Sequence, residues 1–168
     1  DIEVNLIKGL KQQILDGAGL LKSDAASYCT PASSLILTDG IRSTDTAAFN
    51  GKWFKTWSGI SRDIFYDLGY HMTVTGFATD FLQLKSWGIA LPSTFTLYLS
   101  DDGVKWYPVS VQYLTDFDDD AGIYKINVRL AVPTVARYAR FSFPVAAHTY
   151  LDELELFGTT EIKRGVVR

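Results

Sequence analysis

Between Arg62 and Phe157 the chain reads as one β-segment after another, and that rhythm confines it to an all-β architecture. Gly122 to Leu130 (GIYKINVRL) alternates cleanly, with Tyr124, Ile126, Val128 and Leu130 on one face and Lys125, Asn127 and Arg129 on the other. That is the two-residue period of a half-buried strand. Arg62 to Leu68 alternates more loosely and stops at Gly69. Thr94 to Ser100 (TFTLYLS) runs into Asp101-Asp102-Gly103, a hairpin turn, and Val104 to Val111 resumes after it. Val135 to Phe143 and Leu151 to Phe157 complete the series, and only Leu6 to Leu15 has the look of a short helix, weakened by Gly9. Short strands at regular spacing without intervening helices predict an antiparallel β-sandwich, jelly-roll-like.

A chain of 168 residues makes one domain, here 1–158, with TTEIKRGVVR (159–168) as a tail or linker. At this length a core buries roughly 70% of the surface the unfolded chain exposes, so the fold needs no staples. The net charge of −3 excludes nucleic acid as the main partner. Two histidines and one cysteine cannot supply a four-ligand zinc site, nor can Cys29 form a disulfide within the chain. No segment approaches the roughly 20 apolar residues of a membrane helix. The sequence opens at Asp1 without Met or a signal peptide, which reads as a mature product or a module excised from something larger.

The chain is not expected to be an enzyme. Carboxylates are plentiful, but nothing singles out a pair spaced for glycoside hydrolysis. There is no G-x-S-x-G elbow and no glycine-rich phosphate loop. Cys29 has no supporting motif and reads as a small buried hydrophobe.

The run FLQLKSWGIALPSTFTLYLSDDGVKWYPV (Phe81 to Val109) resembles the discoidin, or coagulation-factor type C, family. It is closer to the carbohydrate-binding modules of the galactose-binding-like fold attached to bacterial glycoside hydrolases. Further segments agree in order: Asn5-Leu6-Ile7-Lys8-Gly9, Leu37-Thr38-Asp39-Gly40, Asp67-Leu68-Gly69, ARYARFSF (Ala136 to Phe143) and LDELELFG (Leu151 to Gly158). The resemblance implies a non-catalytic module that targets a secreted or surface-anchored bacterial enzyme to its polysaccharide. Its partners would be a polysaccharide or oligosaccharide and an adjacent catalytic domain of the parent chain, with no membrane.

The resemblance also implies a structural calcium, held by the LTDGIRST loop and the Glu that opens the last strand. By that match Asp39 and Glu153 give carboxylate oxygens, Thr44 a hydroxyl or carbonyl, and Ile41 a backbone carbonyl. Read without it, Asp39 is a turn residue and Glu153 a solvated strand residue. A second acidic run, Asp116 to Gly122, imitates the start of an EF-hand, but Ala121 and Asn127 stand at its sixth and twelfth positions. A solvated hairpin loop is the better reading. Ser100 to Trp106 (SDDGVKW) is assigned to structure.

Ligand contact is expected from aromatic and polar side chains in loops, because sugar C–H faces suit aromatic rings while polar groups bond the hydroxyls. The candidates are Trp53, Trp57, Arg62, Trp87, His148 and Tyr150. In KWFKTW the two Trp share a face if the segment is extended, which suits a core equally well. Arg62 suits a strand-end salt bridge as well as a sugar hydroxyl. The alternatives to the carbohydrate module are a phospholipid- or protein-binding adhesion module and a structural domain packed on a catalytic neighbour.

Overall fold

The computed structural model describes residues 2–15, 29–31, 35–49, 51–57, 61–115 and 117–161. Within them lie β1 (Val4–Asn5), β2 (Gln13–Leu15), β3 (Cys29–Thr30), β4 (Phe54–Trp57), β5 (Arg62–Leu84), β6 (Thr94–Ser100), β7 (Tyr107–Tyr113), β8 (Ala121–Phe143) and β9 (His148–Thr159). The strands pair antiparallel in the order β3-β4-β9-β5-β8-β6-β7, with β1 added on β9 and β2 on β5. Among the described residues no helix is long and apolar enough to cross a membrane.

The two 23-residue strands β5 and β8 explain how a single ladder becomes a sandwich. Arg62 to Asp67 pairs with Phe143 to Tyr138; after a register shift, Met72 to Leu84 pairs with the β8 stretch from Ala136 back to Ala121. The shift brackets Gly69, whose φ of +92° is open to glycine and costly for other residues. Before the shift β5 pairs with β2, and the end of β8 pairs with β6; beyond it β5 pairs with β9. The β5–β8 ribbon thus serves both layers.

Between the layers lies an aromatic core. Phe77 and Phe81 of β5 meet Phe95 of β6 and Phe141 and Phe143 of β8, with ring centroids 5.2 to 6.1 Å apart. Mostly tilted or edge-on, these contacts add about 0.5–1.5 kcal/mol each beyond area burial. A second, smaller cluster (Ala48, Trp53, Leu82 and Ile89) lies on the opposite face of β5 from Phe77 and Phe81.

Two sequence expectations change. Leu6 to Leu15 is no helix: it turns at Gly9 (φ +77°), whose amide donates to the Thr38 carbonyl across 2.7 Å, and then enters β2. The segments Gly122 to Leu130 and Val135 to Phe143 are parts of β8, because Thr134 and Arg129 are successive partners of Val74 and Gly76 and residues 130–133 are accommodated between them. At the expected boundary, β9 continues through Thr159, and Thr73 Oγ1 donates to the Glu161 carbonyl at 2.7 Å. Residues 162–168 lie outside the described ones.

The SDDGVKW turn is built as its residues predict. Asp102 Oδ1 accepts the Val104 and Lys105 amides at 2.8 and 2.9 Å, Gly103 has φ +76°, and Trp106 packs edge-on against Phe65.

Candidate functional site

The sheet register gathers the aromatic candidates. β4 lies against β9 with Trp57 opposite His148 and Lys55 opposite Tyr150, so these four residues share one face. Thr56, pointing the other way, fixes the pair by donating from Oγ1 to the Thr149 carbonyl at 2.7 Å. The His148 and Tyr150 rings meet edge-on at 6.2 Å, and Lys55 Nζ lies 5.8 Å from the Tyr150 centroid. Burial raises the Tyr150 hydroxyl above its ordinary range.

Trp87 closes the tight turn that follows β5 and is 60% exposed. Its neighbour Gly88 takes φ +70°, and a Cβ there would lie 3.8 Å from His148 Cδ2, so the turn leans on the His148 ring. The Ala90 amide donates to the His148 carbonyl at 3.3 Å. Trp57, Trp87, His148 and Tyr150 are therefore brought to one end of the sheet. The His148 Nδ1 atom is buried, with no hydrogen-bond partner among the described residues.

Two candidates do not belong to that surface. Trp53 is fully buried in the smaller cluster with Leu82 and Ile89, so its ring packs the protein and offers nothing to a ligand. Arg62 is 3% exposed, and its Nη2 donates to the Trp57 carbonyl at 2.7 Å, making it a support for β4. The alternation in KWFKTW does not separate Trp53 from Trp57, because Trp53 precedes β4 under the loop that contains Ala48.

The expected metal residues meet in part. Asp39 and Glu153 come together at a node whose centre is the Lys52 ammonium. Lys52 Nζ donates to the Ile36 carbonyl at 2.6 Å, the Asp152 carbonyl at 2.9 Å and Asp39 Oδ1 at 3.1 Å, with Glu153 Oε1 at 3.7 Å. Glu153 Oε2 accepts the Gly40 amide at 2.6 Å. Ile41 takes part through its amide, which donates to Asp39 Oδ1 at 2.9 Å, and Thr44 is exposed. Burial on its own would raise the Asp39 carboxyl, yet the Ile41 amide and Lys52 hold it below the ordinary range. Burial pushes the Glu153 carboxyl up to about 8, against the Gly40 amide and Lys52.

A second acidic pair adjoins this node. Asp80 and Asp152 are both buried and close enough to interact electrostatically; the Ser43 amide donates to Asp152 Oδ2, and Arg42 Nη1 to Asp80 Oδ2, each at 2.7 Å. Burial first, and then the Asp80 charge, raise Asp152 against the pull of the Ser43 amide.

Calcium takes six to eight oxygens at about 2.3–2.6 Å. Here three of the converging oxygens accept from an ammonium. A divalent ion does not share that position with Lys52, so the node as folded does not fit calcium. Among the described residues, no group of three His, Cys, Asp or Glu is arranged to hold a metal. Of the Asp116 to Gly122 run, Asp116 lies outside the described residues. The carbonyls of Phe117 and Asp119 accept from Gln83 Nε2 at 2.7 and 2.6 Å, as in a hairpin loop tied to its neighbour.

Sequence reasoning passed over Lys52 and Arg42. The usable signal was a charge inside an apolar strand: Asp80 in ATDFLQL and Asp152 in YLDELEL each require a buried partner.

No protein-family model and no curated protein matches the chain. Solved structures do. A chitosan-binding module from a chitosanase/glucanase of Paenibacillus sp. IK-5 superposes at TM-score 0.57 with 20% identity, over 92% of this chain and 99% of that one. The family 32 carbohydrate-binding module of C. perfringens NanJ, solved with galactose, gives 0.56 and 13% over 93% and 99%. A Streptococcus pneumoniae fucose-binding module gives 0.58 and 14% over 91% and 96%. At such identities the likeness is one of fold. The chain has the galactose-binding-like β-sandwich fold of these carbohydrate-binding modules, the fold that its discoidin-type motifs imply.

Proposed function

We propose that the chain is a non-catalytic carbohydrate-binding module that holds a secreted or surface-anchored bacterial glycan-active enzyme on its polysaccharide. The observation that carries this reading is the grouping of exposed Trp87 with Trp57, His148 and Tyr150 at one end of the sheet. Rings of this kind cover the C–H face of a sugar, while the Lys55 ammonium bonds its hydroxyls. A weak contact of this size works by raising the local concentration of a catalytic neighbour on the polymer. Affinity gel electrophoresis against a panel of neutral and amino polysaccharides tests the reading. Retardation that Trp87→Ala and Tyr150→Ala abolish supports it; none from the wild-type chain across the panel overturns it.

A second reading draws on β7, the outer strand of the sheet, where Tyr107, Val111 and Tyr113 are all exposed. An apolar edge of that kind suits packing against an adjacent domain of the parent chain. It is compatible with glycan binding at the other end of the strand order.

A further inference from the structure

We propose that Lys52 is the built-in cation of this sandwich, its ammonium occupying the position for which the resemblance supplies calcium, so that the module is assembled without metal. The inference concerns what holds the fold together and stands whether or not the chain binds glycan.

Three observations carry it. The first is convergence: among the described residues Ile36 O, Asp152 O and Asp39 Oδ1 all accept from the ammonium, at 2.6, 2.9 and 3.1 Å, N–H···O distances throughout. The second is burial. The Lys52 side chain is 11% exposed and the facing Glu153 1%, so the lysine does not reach the node from solvent as a passing surface charge. The third is connectivity. Ile36 and Asp39 belong to the early loop and Asp152 to β9, and the Leu154 amide donates to the Leu37 carbonyl at 2.7 Å beside them. The ammonium therefore joins the loop to the strand, the task a structural ion would perform, from a side chain already in the chain. A buried ammonium needs such paired acceptors, and they need it.

The test compares the full chain in excess calcium and in chelator. The wild-type protein should melt at the same temperature in both, and terbium added as a calcium probe should show no sensitised emission from this node. Lys52→Met, which keeps the apolar stem and removes the charge, should melt roughly 4–10 °C lower. A wild-type melting temperature that rises with calcium and falls with chelator, the effect vanishing in Asp39→Asn, would overturn the proposal. So would a Lys52→Met variant as stable as wild type. Terbium emission that persists in Asp39→Asn comes from other oxygens and leaves this node metal-free, as proposed. Should Lys52→Met fail to fold, the wild-type calcium and chelator melts decide the matter alone.

Discussion

Arg42 reaches from its loop to the buried Asp80, Nη1 donating to Oδ2 across 2.7 Å, while its Nη2 engages Glu155. The two ends of this pair live in different media: Asp80 is 1% exposed and Arg42 38%. Arg42→Ala leaves the Asp80 carboxylate beside Asp152 without its guanidinium, and we expect a loss of about 1–3 kcal/mol, moderated by solvent at the Arg42 end. Adding Asp80→Asn to that variant should recover part of the loss. A double-mutant cycle by urea denaturation measures the coupling, and additive single effects would mean that the pair does nothing jointly.

Among the described glycines, Gly158 leaves the least room for a Cβ. A Cβ at this position collides with the Thr73 carbonyl of the neighbouring strand and with the Leu6 side chain, and backbone cannot move aside cheaply. Gly158→Ala should therefore destabilise by several kcal/mol. Gly69→Ala meets only its positive φ, with nothing within 4 Å of the new Cβ, and should cost about 1 kcal/mol. Thermal melts of both variants rank them; an inverted order would contradict the packing described.

Asp67 and Arg137 give a pH dependence of known sign. The Arg137 guanidinium, at 3.0 and 3.2 Å, and then the Gly69 amide hold the Asp67 carboxyl below its ordinary range. A depressed folded-state value means a contribution complete above the unfolded value of about 3.9 and lost as pH falls through the folded one. Both side chains are more than a third exposed, so the effect is small. Arg137→Gln should melt slightly below wild type at pH 7 and converge with it in acid, once Asp67 is protonated in the folded state. A deficit that persists in acid would assign the effect to Arg137 stacking on the Tyr138 ring at 5.1 Å instead.

The two tryptophans that bracket the candidate face should respond in opposite ways. Trp87→Ala removes an exposed ring and should leave the melting temperature near wild type while abolishing retardation by polysaccharide. Trp53→Ala empties a fully buried site and should cost about 3–5 kcal/mol. Binding assays on Trp53→Ala have to be paired with a melt, since any loss there follows from unfolding.

The strand segments were legible because alternation is local, and TFTLYLS and LDELELFG carry it in seven or eight adjacent residues. Their fusion into β5 and β8 was not. A bulge breaks the period, so a continuous strand looks like two, and only the partner across the sheet restores the connection. At the candidate face, His148, Tyr150 and Trp57 could be proposed from residue type, while Trp53 could not be told from them. Burial is decided by what covers a side chain, and Trp53 is covered by residues remote in sequence. Lys52 was invisible for the same reason: its acceptors sit 13 to 100 residues away, and GKW carries no mark of them.

The pairing of Val4 with Gly158 sets the first and last described strands side by side. β1 lies beside the end of β9, so Val4 and Gly158 meet at one pole of the sandwich. His148 and Tyr150 stand at the opposite end of β9, roughly 25–35 Å away at about 3.3 Å per residue. Whatever is joined at Val4 or beyond Gly158 thus hangs behind the sheet rather than across the Trp87 face.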